Sequence, residues 1–115
     1  MTTISVVILS RNRPDSLKVA IDSIIEQQIK PNKIIVSDNS TTEKKKIISL
    51  NKCYKNIEFI FNNKNETVAD HYYRVLKEIK SDLISICHDD DRLLPNYIYE
   101  ILNAYNINKS AIIFS

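Results

Sequence analysis

Glycine is absent from this chain of 115 residues. Dinucleotide sites and P-loops need glycines so that backbone N–H groups can approach phosphate closely, so neither can be built here. A phosphorylated ligand would need a metal ion to neutralise much of its charge. Cysteine is scarce. Cys53 and Cys87 form no Cys-x-x-Cys pair and no disulfide framework. Cys87 falls inside an apolar run and reads as a small buried hydrophobe. There is no signal peptide and no apolar run long enough to span a membrane, which implies a reducing, cytoplasmic setting. A large excess of one charge is also lacking. The formal net charge of +2 leaves no nucleic-acid footprint. Lys44 to Lys46 is the only basic run and reads as the solvated face of a helix. Asn-x-Ser/Thr triplets begin at Asn39, Asn65 and Asn108, and without a secretion signal they are chance matches.

What is present suffices for one small core. With 43% hydrophobic and 26% charged residues, the length fits a single domain. Ile4 to Ser10 is a strongly apolar run and reads as a first strand. Arg11, Asn12 and Arg13 form a polar turn, and Pro14 and Asp15 suit the first turn of a helix. Leu17, Ala20, Ile21, Ile24 and Ile25 lie on one face of that helix, which runs until Pro31 and Asn32 end it. Ile34 to Val36 is a second strand leading into Ser37, Asp38, Asn39 and Ser40. Thr41 or Thr42 caps a short helix through Leu50.

Ile57 to Phe61 is a third strand, and Asn62 to Asn65 a polar loop. Thr67 and Asp70 resemble a capping box. Val68, Tyr72, Val75, Leu76 and Ile79 make the buried stripe of a third helix. Leu83 to Cys87 is a fourth strand. Pro95 opens a fourth helix with Ile98, Ile101, Leu102 and Tyr105 on one face, and Ala111 to Phe114 is a last apolar strand. No internal repeat, low-complexity segment or linker interrupts the pattern.

The fourth strand ends in His88, Asp89, Asp90 and Asp91. Adjacent carboxylates repel, by about 1 kcal/mol at about 4 Å in water and several times more in a partly dry site. At a strand end they point to a hard divalent ion, Mn2+ or Mg2+, held by oxygen. The plain alternative is a solvated loop capping the next helix.

Strands alternating with helices predict an α/β fold, mostly parallel, with helices on both faces. Ligands in such sheets sit beyond the carboxyl ends of the strands. Three polar clusters fall there: Arg11 to Arg13, Asp38 to Ser40 and His88 to Asp91. They converge if strands one, two and four are near neighbours.

Three segments, SVVILSRNRPDSL, IIVSDNSTTE and ISICHDDDRLLP, carry a resemblance. In that order they resemble the amino-terminal half of family 2 glycosyltransferases, and the resemblance covers the whole chain. It implies the Rossmann-like GT-A nucleotide-binding fold. It also implies a nucleotide-sugar donor, a UDP-sugar by preference, Mn2+ or Mg2+ as cofactor, and a saccharide or lipid-linked acceptor. On the matching positions, Asp38 is the aspartate that meets the nucleotide base, against a plain reading as a turn residue. Asp90 is the metal aspartate, Asp89 contacts ribose, and Asp91 assists the metal. Backbone at Leu9, Ser10 and Arg11 lines the base pocket.

The chain departs from the family pattern at several places. Ser37 and His88 stand where the family usually has aspartates, which leaves the role of His88 open, with a hydrogen-bonded loop residue as the plain reading. The loop before the third helix lacks the family's frequent Gly and its Arg-Asn pair, and His71 and Arg74 are the nearby candidates to touch diphosphate. Tyr72 and Tyr73 read as packing residues.

The implied chemistry is inverting, metal-assisted sugar transfer to an acceptor hydroxyl. In the family the catalytic base lies on a later segment, so none is expected within residues 1–115. The chain then reads as a truncated donor-binding half, with the full-length enzyme in the cytoplasm or at the membrane surface. Self-association through the carboxyl-terminal face is expected from an uncovered Ala111–Phe114 strand. The alternatives are a non-enzymatic nucleotide-binding or interaction module, and a metal-dependent nucleotidyltransferase, which the absence of glycine disfavours. A phospho-receiver is rejected, because Arg11 to Arg13 and Asn62 to Asn65 stand where it needs acidic residues.

Overall fold

The computed structural model describes residues 2–107. Four strands, β1 (Ile4–Ser10), β2 (Lys33–Asp38), β3 (Glu58–Phe61) and β4 (Leu83–His88), alternate with helices α1 (Pro14–Ile25), α2 (Lys44–Asn51), α3 (Val68–Leu76) and α4 (Tyr97–Ile107). The strands form one parallel sheet in the order β3-β2-β1-β4. The α/β expectation therefore holds, with helices on both faces.

β1 is the central strand, and all seven of its residues are buried. Alternate side chains leave a strand on opposite faces. Ile4, Val6 and Ile8 pack with Leu17, Ala20, Ile21 and Ile24 of α1, Ile47 of α2 and Ile98 of α4. Val7 and Leu9 face the other way, onto Val75 of α3 and the partly buried Tyr72, Leu76 and Ile79. A strand covered on both sides is apolar throughout, which is why Ile4 to Ser10 reads as a run without alternation.

Several boundaries move. α1 stops at Ile25, where the Glu26 N–H closes the last turn on the Asp22 and Ile24 carbonyls, well before Pro31. Pro95 belongs to the turn ahead of α4 rather than to its first helical position. Neither Thr41 nor Thr42 caps α2, whose cap position is Glu43. The Thr41 hydroxyl instead accepts from Asn12 Nδ2 at 3.1 Å. Thr67 does cap α3, its Oγ1 accepting from the Asp70 N–H at 3.1 Å. Val68 is 64% exposed rather than part of the buried stripe, because the first turn of α3 overhangs an open cleft and not the sheet. His71 takes the buried place. The expected strand Ala111–Phe114, and the self-association argued from it, lie outside the described residues.

Gln27 joins the first half of the chain to the last. It is buried at the end of α1, its Nε2 donates to the Leu94 carbonyl, and its Oε1 accepts from the Ile98 N–H at 2.9 Å. Ser23 Oγ accepts from the Leu93 N–H at 3.0 Å. These bonds hold the segment that follows Asp91. Among the described residues no helix is long and apolar enough to cross a membrane.

Candidate functional site

Register brings the three polar clusters together. Ser10 lies opposite Asp38 across β1 and β2, and Leu9 opposite His88 across β1 and β4. A cleft of about 530 Å³ opens at these strand ends, within the size range of small-ligand sites. Leu9, Ser10, Arg11 and Arg13 line one side, Asn39, Glu66, Thr67, Val68 and His71 the second, and His88, Asp89 and Asp90 the third.

The turn after β1 is tied down on both flanks. Asn12 has φ of 55°, the left-handed region usually left to glycine. Asn tolerates it best among the other residues, and its side chain secures the turn. Asn12 Oδ1 accepts from the N–H groups of Thr41 at 2.9 Å and Glu43 at 3.1 Å. Its own N–H donates to Ser40 Oγ at 2.8 Å. On the other flank the Arg11 N–H donates to Asp89 Oδ2 at 3.0 Å.

Asp38 is fully buried and lies beneath the cleft instead of lining it. Its Oδ1 accepts from Ser10 Oγ at 2.7 Å and from Ser40 Oγ at 2.6 Å. Its Oδ2 accepts from the Ser40 N–H at 3.0 Å and faces Lys44 Nζ at 3.4 Å. Both oxygens are thus taken by the chain itself.

The three aspartates after β4 have different surroundings. Asp89 is mostly buried, and burial pushes its carboxyl above the usual range, against the opposing hydrogen bond from Arg11 and the charge of Arg13. Asp90 has a side chain 57% exposed and lines the cleft. Asp91 turns back, its Oδ2 accepting from the His88 N–H at 3.0 Å. Arg13 Nη1 lies 3.0 Å from Asp90 Oδ2 and 3.5 Å from Asp89 Oδ1. His88 meets the Tyr72 hydroxyl at 3.0 Å through Nδ1, with the two rings edge to face. Burial, with the nearby charges of Asp89 and Asp91, pushes the Tyr72 hydroxyl up to about 12.

A second network forms the wall under α3. His71 Nε2 lies 2.8 Å from Ser37 Oγ, and Asn39 Nδ2 reaches His71 Nδ1 at 3.3 Å and Glu66 Oε1 at 3.0 Å. With Asn39 donating to Nδ1, the imidazole proton sits on Nε2 and faces Ser37. Burial holds the His71 ring below its usual range, and the Arg74 charge adds to this against Glu66 and Asp38. Arg74 forms an ion pair with Glu66, which brings the Glu66 carboxyl down to about 2. Of the two residues considered for a diphosphate contact, His71 lines the cleft with both ring nitrogens engaged. Arg74 is spent on Glu66 and does not line it.

The donor set suits a hard cation that a ligand helps to hold. Among the described residues no group of three His, Cys, Asp or Glu side chains converges into a cage. Mg2+-type sites commonly use one or two carboxylates, with substrate phosphates and water completing the shell. Asp90 and the free lone pairs of Asp89 match that donor number. Arg13 and Asn39 stood within the polar clusters expected to converge here, though neither was given a role of its own. Sequence reasoning did not place Glu66, Thr67 and Val68 in the cleft, and Glu66 gives no local signal.

A sequence model described as Glycosyl transferase family 2 matches residues 5–115. Comparison with curated protein sequences gives no match. Among solved structures, S. aureus TarS 1-349 aligns with a TM-score of 0.77 at 15% identity, covering 93% of this chain and 33% of that one. The same protein in complex with UDP-GlcNAc aligns at 0.74 and 15% identity, over 93% and 32%. The mannosyltransferase PcManGT from Pyrobaculum calidifontis, in complex with GDP-Man and Mn2+, aligns at 0.77 and 13% identity, over 90% and 32%. The chain therefore spans about a third of the length of these structures and shares their fold.

Proposed function

Because the chain belongs to glycosyl transferase family 2, we propose that its cleft binds the nucleoside diphosphate of a nucleotide-sugar. The donor we assign is a UDP-sugar, and the reaction is inverting transfer to a hydroxyl of a saccharide or lipid-linked acceptor. The observation that carries this reading is the register. Ser10 opposite Asp38 and Leu9 opposite His88 gather the three clusters around one cleft that ends at Asp89 and Asp90. The relatives that align with it include complexes with UDP-GlcNAc and with GDP-Man and Mn2+, which supports a donor of this class.

In this reading the backbone of Leu9, Ser10 and Arg11 borders the nucleoside. Asp38 orients Ser10 and Ser40 at that end, and Asp89, held by the Arg11 N–H, faces the ribose. Asp90 is the exposed carboxylate that holds Mn2+ or Mg2+, and Asp91 supports it by fixing the turn through the His88 N–H. When bound, the ion neutralises charge growing on the leaving diphosphate, the task that glycine-rich loops perform elsewhere.

Calorimetry with UDP, first with Mn2+ and then with excess EDTA, tests the reading. The expected outcome is binding that requires the metal, is lost in Asp90→Ala and survives in Asp91→Asn. UDP binding of equal strength in EDTA by the folded chain would overturn it.

A further inference from the structure

Arg13 already pairs with Asp90, the carboxylate that the donor-binding reading assigns to a metal, and with Asp89 beside it, and the inference drawn from this rests on that reading. We propose that Arg13 is an internal cation that holds Asp89 and Asp90 in the ligand-free chain. Free divalent metal must displace it, so metal binds weakly until a diphosphate offers the guanidinium another anion.

The geometry is that of a bridging ion. One nitrogen, Arg13 Nη1, reaches both Asp90 Oδ2 and Asp89 Oδ1. Among the described residues Arg13 is the only cation within ion-pair distance of either carboxylate. Asp89 cannot turn away freely, because its Oδ2 is fixed by the Arg11 N–H. A cation entering between the two carboxylates therefore meets a positive charge already there.

The guanidinium can leave without unfolding anything. Its backbone is anchored where α1 begins, with the Arg13 carbonyl accepting from the Leu17 N–H at 2.9 Å, while its side chain is 54% exposed. Its pair with Asp90 is exposed on both sides, and exposed ion pairs are weak, so little holds the guanidinium on that carboxylate. A diphosphate in the same cleft presents several anionic oxygens, and a guanidinium fork pairs well with such oxygens. Metal and nucleotide then reinforce one another through Arg13 as well as through direct coordination, and such coupling is reciprocal.

The test is titration of the full chain with Mn2+ alone, followed by electron paramagnetic resonance of the free ion, and again with UDP present. Three proteins are compared: the unaltered chain, Arg13→Gln, and Arg92→Gln. The last removes an equal charge from the segment after β4 that carries Asp89 and Asp90, at a residue in no ion pair among the described residues. Arg13→Gln is expected to tighten Mn2+ alone by about two- to fivefold, the range of an exposed pair. It should also shrink the ratio of Mn2+ affinities with and without UDP, and Arg92→Gln should change both less. Equal Mn2+ affinity in Arg13→Gln and the unaltered chain, with UDP still recruiting metal, overturns the role of Arg13 and leaves the donor-binding reading standing. Tightening in Arg92→Gln as large as in Arg13→Gln overturns it too. If UDP recruits no Mn2+ in any of the three, the donor-binding reading fails, and this inference fails with it.

Discussion

Ser10 Oγ donates to Asp38 Oδ1 at 2.7 Å, joining the carboxyl ends of β1 and β2 below the cleft. The same oxygen accepts from Ser40 Oγ, and Ser40 Oγ in turn receives the Asn12 N–H. One buried carboxylate thus links the first strand, the second strand and the left-handed turn between β1 and α1.

Asp38→Ala removes that link and strands buried donors at Ser10 and Ser40. Each unsatisfied buried group costs about 1–3 kcal/mol, softened here because Lys44 can rehydrate. A loss of about 2–3 kcal/mol is expected. Urea unfolding should show a lower midpoint with an unchanged slope. A midpoint within error of the unaltered chain would show that the three donors find other partners.

Gln27 fastens the loop after Asp91 from beneath. Gln27→Ala leaves the Leu94 carbonyl and the Ile98 N–H without their side-chain partners, at about 1–3 kcal/mol. Amide exchange at Leu93 and Ile98 should quicken more than exchange in β1. Uniform quickening across the chain would mean that Gln27 serves global stability only.

His71 makes stability depend on pH. Its folded value is pushed down, chiefly by burial, so the unfolded chain takes up a proton more readily below about pH 6.5. The His71 contribution is constant above about pH 7.5 and falls as pH drops through 6.5 towards the folded value. Asp89 acts in the opposite sense. Its folded value is raised, so acid relieves the cost of its buried charge, in the lower window where carboxylates titrate. Denaturation midpoints at pH 7.5, 6.5 and 5.5 should decline, and His71→Gln should flatten that decline. An unchanged slope in His71→Gln would refute the assignment.

Cys87 and Cys53 should separate cleanly in thiol labelling. Cys87 is buried under the acidic turn, and burial with the charges of Asp91, Asp89 and Asp90 pushes its thiol up to about 12. At pH 8 only about one molecule in ten thousand carries its thiolate. Iodoacetamide should modify one cysteine in the native chain, Cys53, and both in urea. Native labelling at Cys87 would reveal opening of β4 next to the cleft.

Much of the fold follows from local pattern. Hydrophobic period and turn chemistry involve residues a few positions apart, so the eight described elements and their order could be read before any contact was known. The ends of β1, β2 and β4 were legible as polar clusters, and Asp89 to Asp91 as a charged strand end, because each lies within a few adjacent residues.

Tertiary structure decided the rest. Only the order β3-β2-β1-β4 brings Arg13 against Asp89 and Asp90, and Asn39 against Glu66 and His71. It turned Asp38 inward to Ser10 across the strand ends and placed His71 rather than Val68 in the buried row of α3. These pairs lie tens of residues apart, and side-chain direction at a strand end depends on which neighbours fill its hydrogen bonds. A one-dimensional pattern records neither, so the composition of the cleft was written in the sequence while its arrangement came from the sheet.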